Sequence, residues 1–154
     1  MSNRPIGKVK GLTPAVCYRD PKVAVAWLQT AFGFELALLL TTADGEIAHC
    51  EMSAGGFDFG VMQEWSTHKS APSLGGATTH LISVGLESGV DAHCERARAA
   101  GARILEEPQD QFYGERTYRA ADPEGNVWRF GQAVRTVSRE EMERASGLKF
   151  KDRL

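Results

Sequence analysis

The feature that most constrains this chain is that it repeats itself. When Gly33 is set on Gly101, Val16 falls on Val84, Tyr18 on Leu86 and Phe34 on Ala102 without a gap. Weak self-similarity of this kind marks one structural unit used twice. In each copy an apolar strand signal precedes an amphipathic stretch closed by a glycine, and further strand signals follow. A unit of one strand, one helix and three strands cannot bury both its helix-facing side and its sheet edges alone, so the copies have to pair. The expected class is α+β, with two βαβββ repeats forming one cupped mixed sheet and the helices on the outside. Repeat one is placed at about 11–64, a linker at 65–78 and repeat two at about 79–133. Residues 1–137 then form a single domain and 138–154 a C-terminal helical extension.

Local signals support this order. Leu12 to Tyr18 reads as a strand and runs into Arg19-Asp20-Pro21. Asp20 can cap a helix, and Pro21 at the first helical position has its φ already set and no amide to leave unpaired. The helix reads PKVAVAWLQTAFG, with an expected buried stripe of Val23, Ala26, Trp27, Thr30 and Ala31. Strand signals follow at Phe34–Thr42, Glu46–Ser53 and Phe57–Gln63, separated by the turn signals Asp44-Gly45 and Gly55-Gly56. Glu64 to Thr78 is rich in Ser, Gly, Pro and Thr and reads as the linker. The second copy gives a strand at Thr79–Leu86, a helix at Val90–Ala100, then strands at Arg103–Glu106, Arg116–Ala121 and Val127–Gly131. Ser138 and Glu141 form a capping-box signature for a last short helix, either an appendage or a dimer arm.

Composition excludes several classes. A net charge of −2, with basic residues scattered, gives no field to attract nucleic acid or anionic lipid. The opening MSNRPIGKVKG has no apolar run for a signal peptide, and the longest apolar stretch, Leu36 to Leu40, is far short of the ~20 residues a bilayer requires. Cys17, Cys50 and Cys94 are odd in number, without a CxxC pair, and read as buried thiols in a reducing cytoplasm.

The segments YRDPKVAVAWLQTAFGF, IAHCEMSAGGFDFGVM, VDAHCERARAAGARI and YGERTYRAADPEGNVWRF, in that order, resemble the vicinal oxygen chelate superfamily. They are closest to its glyoxalase-like and bleomycin-resistance-like branch. The resemblance covers about Gly11 to Ala133, and DPEGNVW is its most specific block. It implies paired βαβββ units around a pocket, either with a divalent metal for isomerase, lyase, transferase or dioxygenase chemistry, or without metal for binding a bulky drug or metabolite. DPEGN also has a reading of its own, as a tight hairpin in which Gly125 and Asn126 tolerate positive φ.

In the metal-using relatives that this resemblance invokes, four cup-facing strand positions carry His, Gln or Glu. Those positions fall here on Thr13, Gly60, Leu81 and Arg129. Leu and Gly offer no donor atom, and Arg is a fixed cation that repels a metal. No metal and no cofactor is therefore expected. A one-residue slip brings in only His80. His49 and Glu51 share a strand face and read as a surface pair, while His93 and His68 read as solvated. Cys17 faces the pocket by parity but has no evident base to activate it.

Strand parity then sorts the lining. Thr13, Ala15, Cys17, Asp58, Gly60, Met62, Leu81, Ser83, Val127 and Arg129 face the cup. Val16, Tyr18, Phe57, Phe59, Val61, Val84, Leu86, Trp128 and Phe130 pack under the helices. Trp65, Phe112 and Tyr113 lie outside the pattern, where they either stack on a flat ligand or plug the core ends or a dimer interface. Arg116 and Arg129 either meet an acidic or carbonyl group of a ligand or pair with Asp58 or Glu51. The candidate binding set is Thr13, Cys17, Asp58, Gly60, Met62, Trp65, Leu81, Tyr113, Arg116 and Arg129. The expected function is metal-free binding or sequestration of a small, aromatic or drug-like molecule by a homodimer, as in antibiotic-resistance proteins of the bleomycin type. The alternatives are a metal-dependent glyoxalase-like lyase, isomerase or dioxygenase, and a structural dimer with no ligand.

Overall fold

The computed structural model describes residues 9–152. The first eight residues, read above as carrying no targeting signal, lie outside the described ones. The first half runs β1 (Ala15–Tyr18), α1 (Pro21–Phe32), β2 (Glu35–Thr41), β3 (Ile47–Ala54) and β4 (Phe57–Gln63). The second runs β5 (Leu81–Leu86), α2 (Val90–Ala99), β6 (Arg103–Asp110), β7 (Glu115–Ala121) and β8 (Val127–Ala133). A last helix, α3 (Arg139–Ser146), follows.

Each half forms its own four-stranded mixed sheet, ordered β1-β4-β3-β2 and β5-β8-β7-β6. In both, the first strand runs parallel to the last while the other pairs are antiparallel, and the registers match: Ala15 opposes Gly60 as Ser83 opposes Arg129. The cup is therefore two facing-type sheets rather than a closed barrel. One face of each sheet is covered by helix, α1 packs on α2, and a single apolar core runs through both halves. Phe32, Phe34, Phe59, Trp128 and Phe130 interlock there with ring centroids 4.7 to 6.3 Å apart. Burial of large aromatics dominates the energetics of such a core.

Helix α1 begins where its cap predicts: the Asp20 carboxylate accepts from the Val23 amide at 3.2 Å. It ends at Gly33, whose φ of 72° is the left-handed value a side chain disfavours. The buried stripe differs from the sequence expectation. Pro21, Ala24, Val25, Leu28, Ala31 and Phe32 are buried, whereas Val23 is 59% exposed. Both stripes obey 3.6-residue spacing, and the one holding Leu28 and Phe32 wins because it buries more apolar surface.

Two clasps hold the halves together. At the first, Arg96 of α2 donates to the carbonyls of Thr30 (2.8 Å) and Gln29 (3.0 Å), capping the end of α1, while Trp27 donates its indole N–H to the Ala100 carbonyl at 2.7 Å. His93 belongs to this clasp and is not solvated as its sequence context suggested. Nε2 lies 3.0 Å from the Phe32 carbonyl, to which it can only donate, and Nδ1 lies 2.6 Å from the Tyr118 hydroxyl, which donates to it when the ring is neutral. Burial lowers the His93 pKa below its usual 6.5, with Arg96 acting in the same direction.

The second clasp is the DPEGN turn. Buried Asp122 accepts from the Tyr18 hydroxyl (2.7 Å), the Trp128 indole (3.2 Å) and the amides of Glu124 and Asn126 (both 3.0 Å). Glu124 in turn accepts from the amides of Arg19 and Asp20. Burial, then the neighbouring Asp122 carboxylate, pushes the Tyr18 hydroxyl pKa well up.

Three smaller departures remain. Strand β6 continues to Asp110 through Pro108, which an edge strand tolerates. The linker is structured, with Glu64 accepting from the amide and hydroxyl of Ser70 and a 3-10 turn at Ala71–Leu74. Phe57, expected under a helix, is 81% exposed because the first residue of β4 lies beyond helix cover.

Candidate functional site

The free edge of β5 faces the segment 11–14 and the β3–β4 hairpin across a cavity of about 740 Å³. That volume falls within the range of small-molecule sites, roughly 300–1,000 Å³. The floor is apolar, made by Phe59, Trp128, Ile82 and Val84, and Phe57 stands at the mouth. Thr13, Ser83, Asp58 and Glu87 supply the polar groups. As β5 is an edge strand, one side of its backbone is unpaired with any strand among the described residues.

Away from the cavity, the helix-free face of the second sheet carries a charged cluster. Arg129 Nη2 donates to Glu115 Oε2 at 2.5 Å and to the Tyr113 hydroxyl at 3.0 Å. A Cβ at Gly131 would come within 3.2 Å of Arg129 Nη1 and 3.1 Å of Glu115 Oε2, so a side chain there would crowd the pair. Burial of the Arg129 guanidinium opposes its charge, but Glu115 and Tyr113 hold its pKa above the ordinary arginine value. Arg119 and Glu106 pair on the same face at 3.3 Å. On the first sheet this face holds Cys17 opposite Met62, together with His49 and Glu51, whose side chains meet at 2.9 Å. Burial pushes the Cys17 thiol pKa up, and Glu64 and Glu124 add to the effect, which disfavours a thiolate nucleophile.

The positions that would hold a divalent ion do not fit one. The register puts Leu81 and Ser83 on the face of Arg129 and leaves His80 on the other parity, so a one-residue slip supplies nothing. Arg129 is already engaged by Glu115. Among the described residues no group of three or more His, Cys, Asp or Glu side chains is placed to bind a metal.

A family model of the glyoxalase/bleomycin resistance protein/dioxygenase superfamily matches residues 12–130. The chain belongs to that superfamily. An uncharacterized protein of Mycobacterium bovis is 32% identical over 141 residues, which cover 87% of this chain and 90% of the relative. Among solved structures, TioX from Micromonospora sp. ML1 superposes with a TM-score of 0.65 at 33% identity, covering 84% of this chain and 100% of TioX. The fosfomycin resistance protein FosX of Listeria monocytogenes, solved with Mn(II) and sulfate, shares the fold with a TM-score of 0.58 at 20% identity, covering 90% of this chain and 98% of FosX.

Within this superfamily frame the residues singled out from sequence separate into groups. Thr13 and Asp58 line the cavity. Gly60 does not line it but pairs with Ala15 of β1, its amide donating to the Pro14 carbonyl at 2.8 Å. Cys17, Met62, Leu81, Tyr113 and Arg129 lie on the open sheet faces and rims outside the cavity. Trp65 is 69% exposed and bridges to His68. Arg116 is on the helix side, where Asp91 and Asp110 hold it at 2.9 and 3.0 Å. Sequence reasoning missed Glu87 and Ile82 of the cavity and Glu115, the partner of Arg129. Glu115 was within reach, since Glu115, Thr117 and Arg119 alternate on one face of β7.

Proposed function

We propose that this superfamily member binds and sequesters a small organic molecule without a metal, in the manner of bleomycin-resistance-type proteins, as a cytoplasmic homodimer. The observation that carries the reading is the cavity of about 740 Å³, apolar in its floor and sparsely polar at its rim. The donor set at Thr13, Gly60, Leu81 and Arg129 supports the metal-free part, because two of the four side chains carry no donor and one is a cation. Three free cysteines suit a reducing compartment. The homodimer is supported by Leu36, Leu38, Leu39 and Leu40 of edge strand β2, each 40–52% exposed, which a second copy would cover.

The test is a thermal-shift screen of drug-like and metabolite-like compounds alongside elemental analysis of dialysed protein. The expected result is a ligand-dependent rise in melting temperature with no retained metal. About one Zn, Ni, Mn or Fe per chain after dialysis would sink the metal-free reading, and a screen with no shift would sink the binding reading.

A further inference from the structure

We infer that the cavity takes an amphipathic organic cation, an ammonium group carried on an aromatic or aliphatic body; this rests on the small-molecule reading above. Sixteen residues line the cavity, and its charged members are Asp58 and Glu87, with no Lys, Arg or His among them. Neither carboxylate forms an ion pair with a described residue, although ion pairs are frequent elsewhere on this chain. Among the described residues the rim thus carries two carboxylates and no ion-paired counter-charge.

What lies beneath the rim suits the rest of such a molecule. Phe59, Trp128, Ile82 and Val84 offer apolar surface for a ring or chain, and burying that surface supplies the non-directional part of the affinity. Phe57, 81% exposed at the mouth, can set its ring face against an ammonium. Carbonyls on the free side of β5 can accept ammonium N–H groups that the carboxylates leave over. An anion of the same shape meets like charge at the rim, and its gain from the floor is reduced accordingly. Arg129 cannot reverse this sign, because it is paired with Glu115 and does not line the cavity. Attraction between rim and ligand also implies salt dependence, since exposed charges are screened over about 8 Å at physiological ionic strength.

The test uses three probes of one shape, 4-phenylbutylamine, 4-phenylbutan-1-ol and 4-phenylbutyrate, titrated calorimetrically into the full-length protein at pH 7. The amine is expected to bind about tenfold more tightly than the alcohol, and the carboxylate more weakly than either. Asp58→Asn and Glu87→Gln should each weaken the amine several-fold, and weaken it more than they weaken the alcohol. Both residues are exposed, so the melting temperature of each variant checks that the fold is intact. Equal binding of amine and alcohol, or tighter binding of the carboxylate, overturns the cation inference while leaving the cavity reading standing. No binding by any of the three counts against both.

Discussion

Where the first sheet turns Ala15, Cys17, Gly60 and Met62 away from the helices, the second turns Ser83, Gly85, Arg129 and Gly131. The outer strands differ in the same direction. Strand β2 reads Glu-Leu-Ala-Leu-Leu-Leu-Thr and is exposed along its whole length, whereas β6 carries Glu106, Glu107, Pro108 and Asp110. Charges and proline are the usual means by which a sheet edge avoids pairing with another chain. The inward positions are alike in both halves, with Val16 and Tyr18 matched by Val84 and Leu86, since both must pack under a helix. One fold used twice thus keeps its inward residues similar and lets the outward ones diverge, one outer strand toward an exposed apolar edge and the other toward a charged one.

The contrast can be broken at its inward end by Trp128→Ala. Trp128 is 1% exposed and bonded to Asp122, so truncation should cost about 3–5 kcal/mol in a urea melt. A loss below about 1 kcal/mol would show that the inward and outward parities of β8 are exchanged. The outer strands give the next test. Leu40→Glu should raise the dissociation constant of the proposed homodimer in sedimentation equilibrium at least tenfold, about 1.4 kcal/mol, and Leu105→Glu on β6 should leave it unchanged. The reverse outcome would invert the assignment of the sticky edge.

The pH response sharpens the comparison at the clasp between the halves. The folded-state His93 pKa is lowered by burial, so the unfolded chain binds the proton more readily. Stability contributed by neutral His93 is then complete above pH 6.5 and falls as the pH drops below that value. Melts of the parent protein should weaken as the pH falls below about 6.5, and His93→Gln should flatten that slope. An unchanged slope would place the titrating group elsewhere. The smallest effect is expected at Arg129→Ala, at most about 1 kcal/mol, because its partner Glu115 is 39% exposed and can be hydrated when left alone. A loss comparable to that of Trp128→Ala would mean that the outward face is part of the folding core.

Much of this architecture is legible from local chemistry. The caps at Asp20, Gly33 and Ser138, the DPEGN turn and the opposite facing of Trp128 and Arg129 all depend on neighbours within a few residues. What was not legible depends on partners far along the chain. The α1 stripe is set by what α2 and both sheets offer it, and two stripes of equal periodicity cannot be ranked without them. His93 becomes a bonded, neutral ring only because Phe32 and Tyr118 reach it from 61 and 25 residues away. Arg116 looked available to a ligand until Asp91, on a helix 25 residues earlier, took it. The cavity is hidden for the same reason, since it exists between two segments that no local pattern connects. The lining was only partly readable: Thr13, placed by the family spacing, and Asp58, placed by strand parity, line the cavity, and Glu87 was not singled out.

The DPEGN clasp has a kinetic consequence. Tyr18 and Asp122 meet across 104 residues of chain, whereas β2, β3 and β4 are joined by short turns. Contacts between neighbours in sequence close quickly, and distant ones wait on a larger search. We expect each β-meander to form early and the turn at Asp122 to lock onto Tyr18 last, which makes that hydrogen bond a brake on unfolding rather than an accelerator of folding. Mutational φ values near one at Tyr18 or Asp122 would contradict this order.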